Sequence, residues 1–135
     1  MLPGAQRRTG GEAVDDSTKK EGLDPAAVAR LQCLGGPAFV CEMIDAFTQY
    51  VPGRLAEARA GLTRGDLPAV ARCAHPVKSS AGNIGARRMT ELAATIERLA
   101  DAGETVDLPG LLKLLEAEYA AVAPILERLR RDLAP

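Results

Sequence analysis

Tryptophan is absent from this chain, and Phe and Tyr contribute only two residues each. A core here must therefore be built from aliphatic side chains. Ala and Leu dominate the apolar set, and both favour helix over strand. Cysteine is scarce: Cys33, Cys41 and Cys73 are the only three. An odd number makes a poor disulfide framework. Their surroundings read as semi-buried helix positions, and free thiols of this kind suit a reducing cytoplasm. An excess of one charge is missing too. The net charge of −1 argues against a strongly basic nucleic-acid binder. No stretch of about 18 residues runs without a charge, so no membrane span is expected. Met1 to Gly22 lack the apolar segment of a secretory signal.

What is present fits one domain. The 135 residues are 47% hydrophobic, enough to bury a core without disulfides or metal. Residues 1–22 are polar and aperiodic, and are expected to form a disordered tail or linker. The domain is expected over 23–135. Asp24 is a suitable N-cap and Pro25 a suitable first helical residue. The short helix they open should stop at Gly35-Gly36.

A long helix is predicted from Pro37 to Thr63. Val40, Ile44, Phe47, Val51, Leu55, Ala58 and Leu62 recur at spacings of three and four, which gives one apolar stripe. Pro52 should bend this helix without ending it. Gly65 is the stop, Asp66 the next N-cap, and Pro68 falls in the first turn. The third helix runs to about Asn83, and Gly85 marks a tight turn. The fourth spans roughly Ala86 to Ala102, with Met89, Leu92, Ile96 and Leu99 on one face, and Gly103 closes it. Asp107-Leu108-Pro109 repeats the cap-and-proline signal. The last helix carries Leu108, Leu111, Leu112, Leu115, Tyr119, Val122, Leu126, Leu129 and Leu133 on its stripe, with Pro124 lying off it. No strand is predicted. The expected fold is all-α: an antiparallel up-down four-helix bundle with a short extra N-terminal helix.

The third helix breaks its own pattern. On a wheel of about 100° per residue, Val70, Cys73, Ala74, Val77, Ala81 and Ile84 fall roughly 140° to 260° from His75. That side is the core face, so His75, the chain's single histidine, points outward. Ala71, Lys78, Ser79 and Gly82 share its stripe. Lys78 and Ser79 lie one turn along and Gly82 two turns along. The stripe thus holds a nucleophile, a cation and small residues that leave the imidazole accessible. A lysine there can neutralise part of an added phosphoryl charge. Gly82 in a helix interior should cost about 1 kcal/mol relative to Ala, which is easier to understand if something approaches closely there. An isolated exposed histidine is also an ordinary surface residue; the combination is what points to chemistry.

Other chemistries fit less well. Cys73 and His75 are two residues apart, so on a helix they point away from each other and cannot share a metal. No acid-oriented triad or oxyanion loop accompanies the serines. No Gly-rich phosphate loop or nucleotide-binding βαβ unit is visible, so self-phosphorylation from ATP is not expected.

The run Ala74-His75-Pro76-Val77-Lys78-Ser79-Ser80-Ala81-Gly82-Asn83-Ile84-Gly85-Ala86 resembles the phosphorylation motif of the histidine phosphotransfer (HPt) family of two-component phosphorelays. Its usual form is a small residue, the His, any residue, an aliphatic, Lys, Gly or Ser, then small residues to a closing Gly-Ala. The resemblance extends from Leu23 to the C-terminus. Leu23-Asp24 opens the family's short first helix, Phe47 stands where it usually has a Phe, Pro52 and Leu55 match its bend, and Leu92 to Glu97 match its fourth helix.

The resemblance implies a function. His75 would accept a phosphoryl group from a receiver-domain aspartate and pass it to another receiver, through a phosphohistidine. Lys78 would stabilise the phosphoryl oxygens, Ser79 would keep the surface open, and Gly82 would serve close approach. Glu97 matches a position that hydrogen-bonds the imidazole in relatives. A carboxylate accepting from Nδ1–H would hold the tautomer that leaves Nε2 free; as a residue type it equally fits an exposed helix glutamate. The module would bring no cofactor, the receiver supplying Mg²⁺. Its partners would be receiver domains of response regulators or hybrid histidine kinases, it would be a monomer, and it would sit in the cytoplasm. Arg64, Arg72, Lys78, Arg87 and Arg88 lie near the His75 face in sequence and are expected to steer an acidic partner. Pro76 departs from the family pattern: it removes a helical N–H and disfavours helix at His75 itself. The alternative of another class is a non-catalytic helical adaptor in which His75 is incidental.

Overall fold

Gly65, Gly85 and Gly103 end three helices in the same way. Each has a positive φ, of 73°, 86° and 74°. In each case the next residue's N–H reaches back to a carbonyl five residues earlier: Asp66 to Gly61 at 2.8 Å, Ala86 to Ala81 at 2.9 Å and Glu104 to Leu99 at 2.9 Å. This closure satisfies carbonyls that a helix end leaves open, and glycine adopts the required backbone without a Cβ penalty. The computed structural model describes residues 22–134. Its helices are α1 (Pro25–Thr63), α2 (Leu67–Ile84), α3 (Arg87–Asp101) and α4 (Leu108–Leu133). Among the described residues there is no strand, only an isolated bridge between Leu23 and Ala86. The tail expected at 1–22 lies, but for Gly22, outside the described residues.

Two of the three expected aspartate caps form. Asp24 accepts from Ala26 N–H at 3.0 Å, and Asp66 from Ala69 N–H at 3.1 Å. The third does not: Asp107 has helical φ and ψ and makes no side-chain cap bond. Its carbonyl instead takes the Leu111 N–H at 3.0 Å. The short segment before Gly36 and the long helix after it form one 39-residue element, interrupted only by Gly36 at φ 76°, ψ −172°. Helical geometry continues through Pro52 in α1, Pro76 in α2 and Pro124 in α4.

The helices touch as a ring: α1 on α2, α2 on α3, α3 on α4 and α4 on α1, without diagonal contacts. Each contributes the stripe read from its sequence. Val40, Ile44, Phe47, Val51, Leu55 and Ala58 of α1 are buried, and Leu62 packs at their edge. They meet Val70, Cys73, Ala74, Val77, Ala81 and Ile84 of α2, Met89, Leu92 and Ile96 of α3, and Leu108, Leu112, Leu115, Val122 and Leu126 of α4. No polar or charged residue is buried among those described. By length and composition α1 could pass for a membrane span, but its apolar stripe is spent on this core. Arg59 with Glu116 and Arg130 with Asp45, both at 2.7 Å, tie α1 to α4 at its polar edge.

The cysteines differ from the uniform semi-buried expectation. Cys33 is exposed, Cys41 intermediate and Cys73 buried.

Candidate functional site

The site is built on α2, and the register of α2 against α3 decides its chemistry. His75 lies opposite the buried face of α2, and its side chain is 61% exposed. The helix stays regular across Pro76, so the imidazole direction read from the wheel holds despite the lost N–H. Ser79 and Gly82 follow it along the same exposed face, while Lys78 is half-buried on the side toward α3. A Cβ built on Gly82 would meet only Thr90 Oγ1, at 3.8 Å, which is ordinary contact. The fold itself therefore does not require glycine there. Ala71 departs from the sequence reading: it is buried, because α3 packs against that shoulder of α2.

Glu97 comes from α3 and bridges two residues of α2. Its Oε2 lies 2.8 Å from His75 Nδ1, and its Oε1 takes a hydrogen bond from Lys78 Nζ at 2.8 Å. The side chain is only 20% exposed. The Lys78 ammonium, and secondarily the hydrogen bond to His75, hold the Glu97 carboxyl below the usual carboxylate range against the opposing effect of burial. An ionised carboxylate can only accept, so the nitrogen facing it carries the hydrogen. In the neutral ring the lone pair then resides on Nε2, on the solvent side. The sequence pointed to Glu97 and to Lys78 separately; their ion pair depends on two helices at once and no single wheel contains it.

Among the described residues no group of three or more His, Cys, Asp and Glu side chains is arranged to hold a metal. Cys73 is buried, and its thiol donates to Glu57 Oε1 at 3.7 Å. Burial first, and Glu57 next, push that thiol up, away from nucleophilic use.

A surface histidine on a helical bundle, oriented by a carboxylate and flanked by small residues, defines a class that sequence comparison identifies. The Hpt domain model matches residues 42–125, and the chain belongs to this family of histidine phosphotransfer modules of two-component phosphorelays. The crystal structure of histidine-containing phosphotransfer protein B from Pseudomonas aeruginosa PAO1 is similar over 82% of this chain and 96% of that one, with a TM-score of 0.78 and 28% identity. Comparison with curated proteins gives no match. Hpt proteins exchange phosphoryl groups with receiver domains of two-component systems.

Proposed function

We propose that His75 is the phosphoacceptor of this module, and that Glu97 positions it. The observation that carries this is the 2.8 Å contact of Glu97 with Nδ1 on a ring that is otherwise exposed. The Nε2 lone pair attacks the phosphorus of a receiver's aspartyl phosphate. The N–P bond forms as the P–O bond to the aspartate breaks, and the aspartate leaves as a carboxylate. The ring keeps its Nδ1–H and becomes cationic, and the Glu97 carboxylate stabilises that charge. The reverse sequence passes the group to a second receiver. Lys78 meets the phosphoryl oxygens, Ser79 is placed to donate a hydrogen bond, and Gly82 admits the partner surface.

The module needs no cofactor of its own; Mg²⁺ arrives with the receiver. It has no autonomous kinase activity and acts as a cytoplasmic monomer. The ring of contacts and the short connections support an antiparallel up-down bundle over 23–135, with the piece before Gly36 as an extra helix at one end.

The test is phosphotransfer from a phosphorylated receiver to the wild type and to His75→Gln. Acid-labile, base-stable label is expected on the wild type alone. Label that survives in His75→Gln would sink the assignment. A chain that binds receivers without ever taking label would be an adaptor.

A further inference from the structure

The two sides of His75 are chemically unlike. On the α3 side, Lys78 is engaged by Glu97. On the α1 side, beside Pro76, an open cleft of about 580 Å³ lies between α1 and α2. Its charged lining is Arg54, Arg64, Arg72 and Glu57, so it carries three cations against one anion. Tyr50 forms one wall, with the Arg54 guanidinium 5.5 Å from the centre of its ring.

The three arginines are not equivalent. Arg54 is paired with Glu57, and Arg64 with Asp66 at 3.3 Å. Arg72 is exposed and makes no ion pair within 4 Å among the described residues, its charge reaching Asp66 only from further off. It stands three residues before His75, about 4.5 Å back along the helix axis. A partner whose phosphoryl group reaches Nε2 must lay its surface over this turn of α2. A guanidinium offers a planar fork of donors that matches a carboxylate in bidentate fashion. With Arg54 and Arg64 already paired, Arg72 leaves the cleft one uncompensated positive charge, which favours an anionic side chain over a cationic one. Its one thiol, Cys73, is already bonded to Glu57.

We propose that this cleft receives an acidic side chain, Asp or Glu, of the receiver domain docked on His75, and that Arg72 reads it. Arg72 is then a specificity-determining residue that acts on docking and not on the transfer step. The inference rests on His75 being the phosphoacceptor.

The experiment uses the full chain. The probe is the purified phosphorylated receiver domain that transfers fastest to the wild type among those of one two-component complement. Arg72→Glu is expected to raise the apparent KM for that receiver about tenfold, through lost charge complementarity, while the rate at saturation stays within about twofold. Arg72→Lys keeps the charge without the fork and should fall between the two. Arg131→Glu makes the same change of net charge on the exposed surface of α4, which does not touch α2. It should move KM by less than about twofold, since screening confines such effects to about 10 Å. Equal effects of Arg72→Glu and Arg131→Glu would overturn the proposal, as would a fall in saturating rate with KM intact. If Arg72→Glu fails to fold by circular dichroism, Arg72→Ala is read in its place, with a KM rise of about threefold expected from loss of the charge alone. A second arm separates this idea from the one beneath it. Phosphoramidate, a small donor that releases ammonia as the N–P bond to the imidazole forms, is applied to the wild type and to His75→Gln. No His75-dependent label removes the phosphoacceptor assignment. Label from phosphoramidate, with transfer from no receiver, leaves that assignment standing and removes the docking proposal.

Discussion

At the scale of single residues, Glu97 does two things with one carboxylate. Its Oε2 meets His75 Nδ1, where it would hold the ring hydrogen, and its Oε1 accepts from Lys78 Nζ. Replacing it with Ala removes both, and phosphoacceptance is expected to slow by about ten- to a hundredfold, as when the orienting partner of a functional histidine is lost. Glu97→Gln keeps an acceptor for Nδ1–H and should retain more activity than Glu97→Ala; single-turnover rates with one receiver make the comparison. The same carboxylate links the site to stability. Its pKa is lower in the folded chain than the ordinary 4.5. Its contribution is therefore complete above about pH 4.5 and is lost as the pH falls through the folded value. Urea midpoints measured at pH 6 and pH 3 should converge for wild type and Glu97→Gln on acidification. A constant gap between them would mean that the Glu97 contacts do not bias folding.

At the scale of elements, α2 departs from its own best interest at one position. Gly82 is exposed in the last turn of α2, and a methyl there meets only Thr90. Gly82→Ala is expected to stabilise the bundle by at most about 1 kcal/mol, the cost of glycine in a full helix interior, seen as a raised denaturation midpoint, and to slow transfer from the receiver. Stabilisation without slowing would show that the glycine does not serve the partner. Helix ends were legible in the sequence because a cap is local chemistry. Gly65, Gly85, Gly103, Asp24 and Asp66 act within a few residues of themselves. Asp107 carried the same signal and failed, since it lies inside the turn that Leu108 N–H closes on Thr105 O at 3.3 Å, which leaves it helical. Ala71 failed for a different reason: a wheel records angles about one helix and cannot say which shoulder a neighbour will cover. Pro76 disfavours helix by local rules, yet α2 runs through it without a non-helical residue, packed between α1 and α3. Glu97 could be matched through the family pattern, but its grip on Lys78 required the register between α2 and α3.

At the scale of the whole molecule, labour is divided between the pairs of helices. α1 and α4 are tied by the ion pairs of Arg59 and Arg130, and the dry core runs through the ring. α2 and α3 carry the site on their outer side. Asp24 N–H donates to Gly85 O at 2.8 Å, so the start of the described chain is fastened to the turn that joins these two helices. A Cβ on Gly85 would come within 3.0 to 3.1 Å of Asp24 backbone atoms, and the turn leaves no room for one. His75 itself stands on a convex helix surface and does not line the cleft beside Pro76. Among the described residues nothing closes over it, and with 61% of its side chain exposed a group bound at Nε2 stands open to water. The phosphorylated chain should therefore lose its label within about threefold of the rate for a phosphorylated peptide of residues 70–79, as the exposure of the site requires; a far slower loss would show that the bundle shelters it. How long such a module remembers a signal is then set by the hydrolytic clock of a phosphoimidazole in water, and the message outlasts that clock only by being handed on.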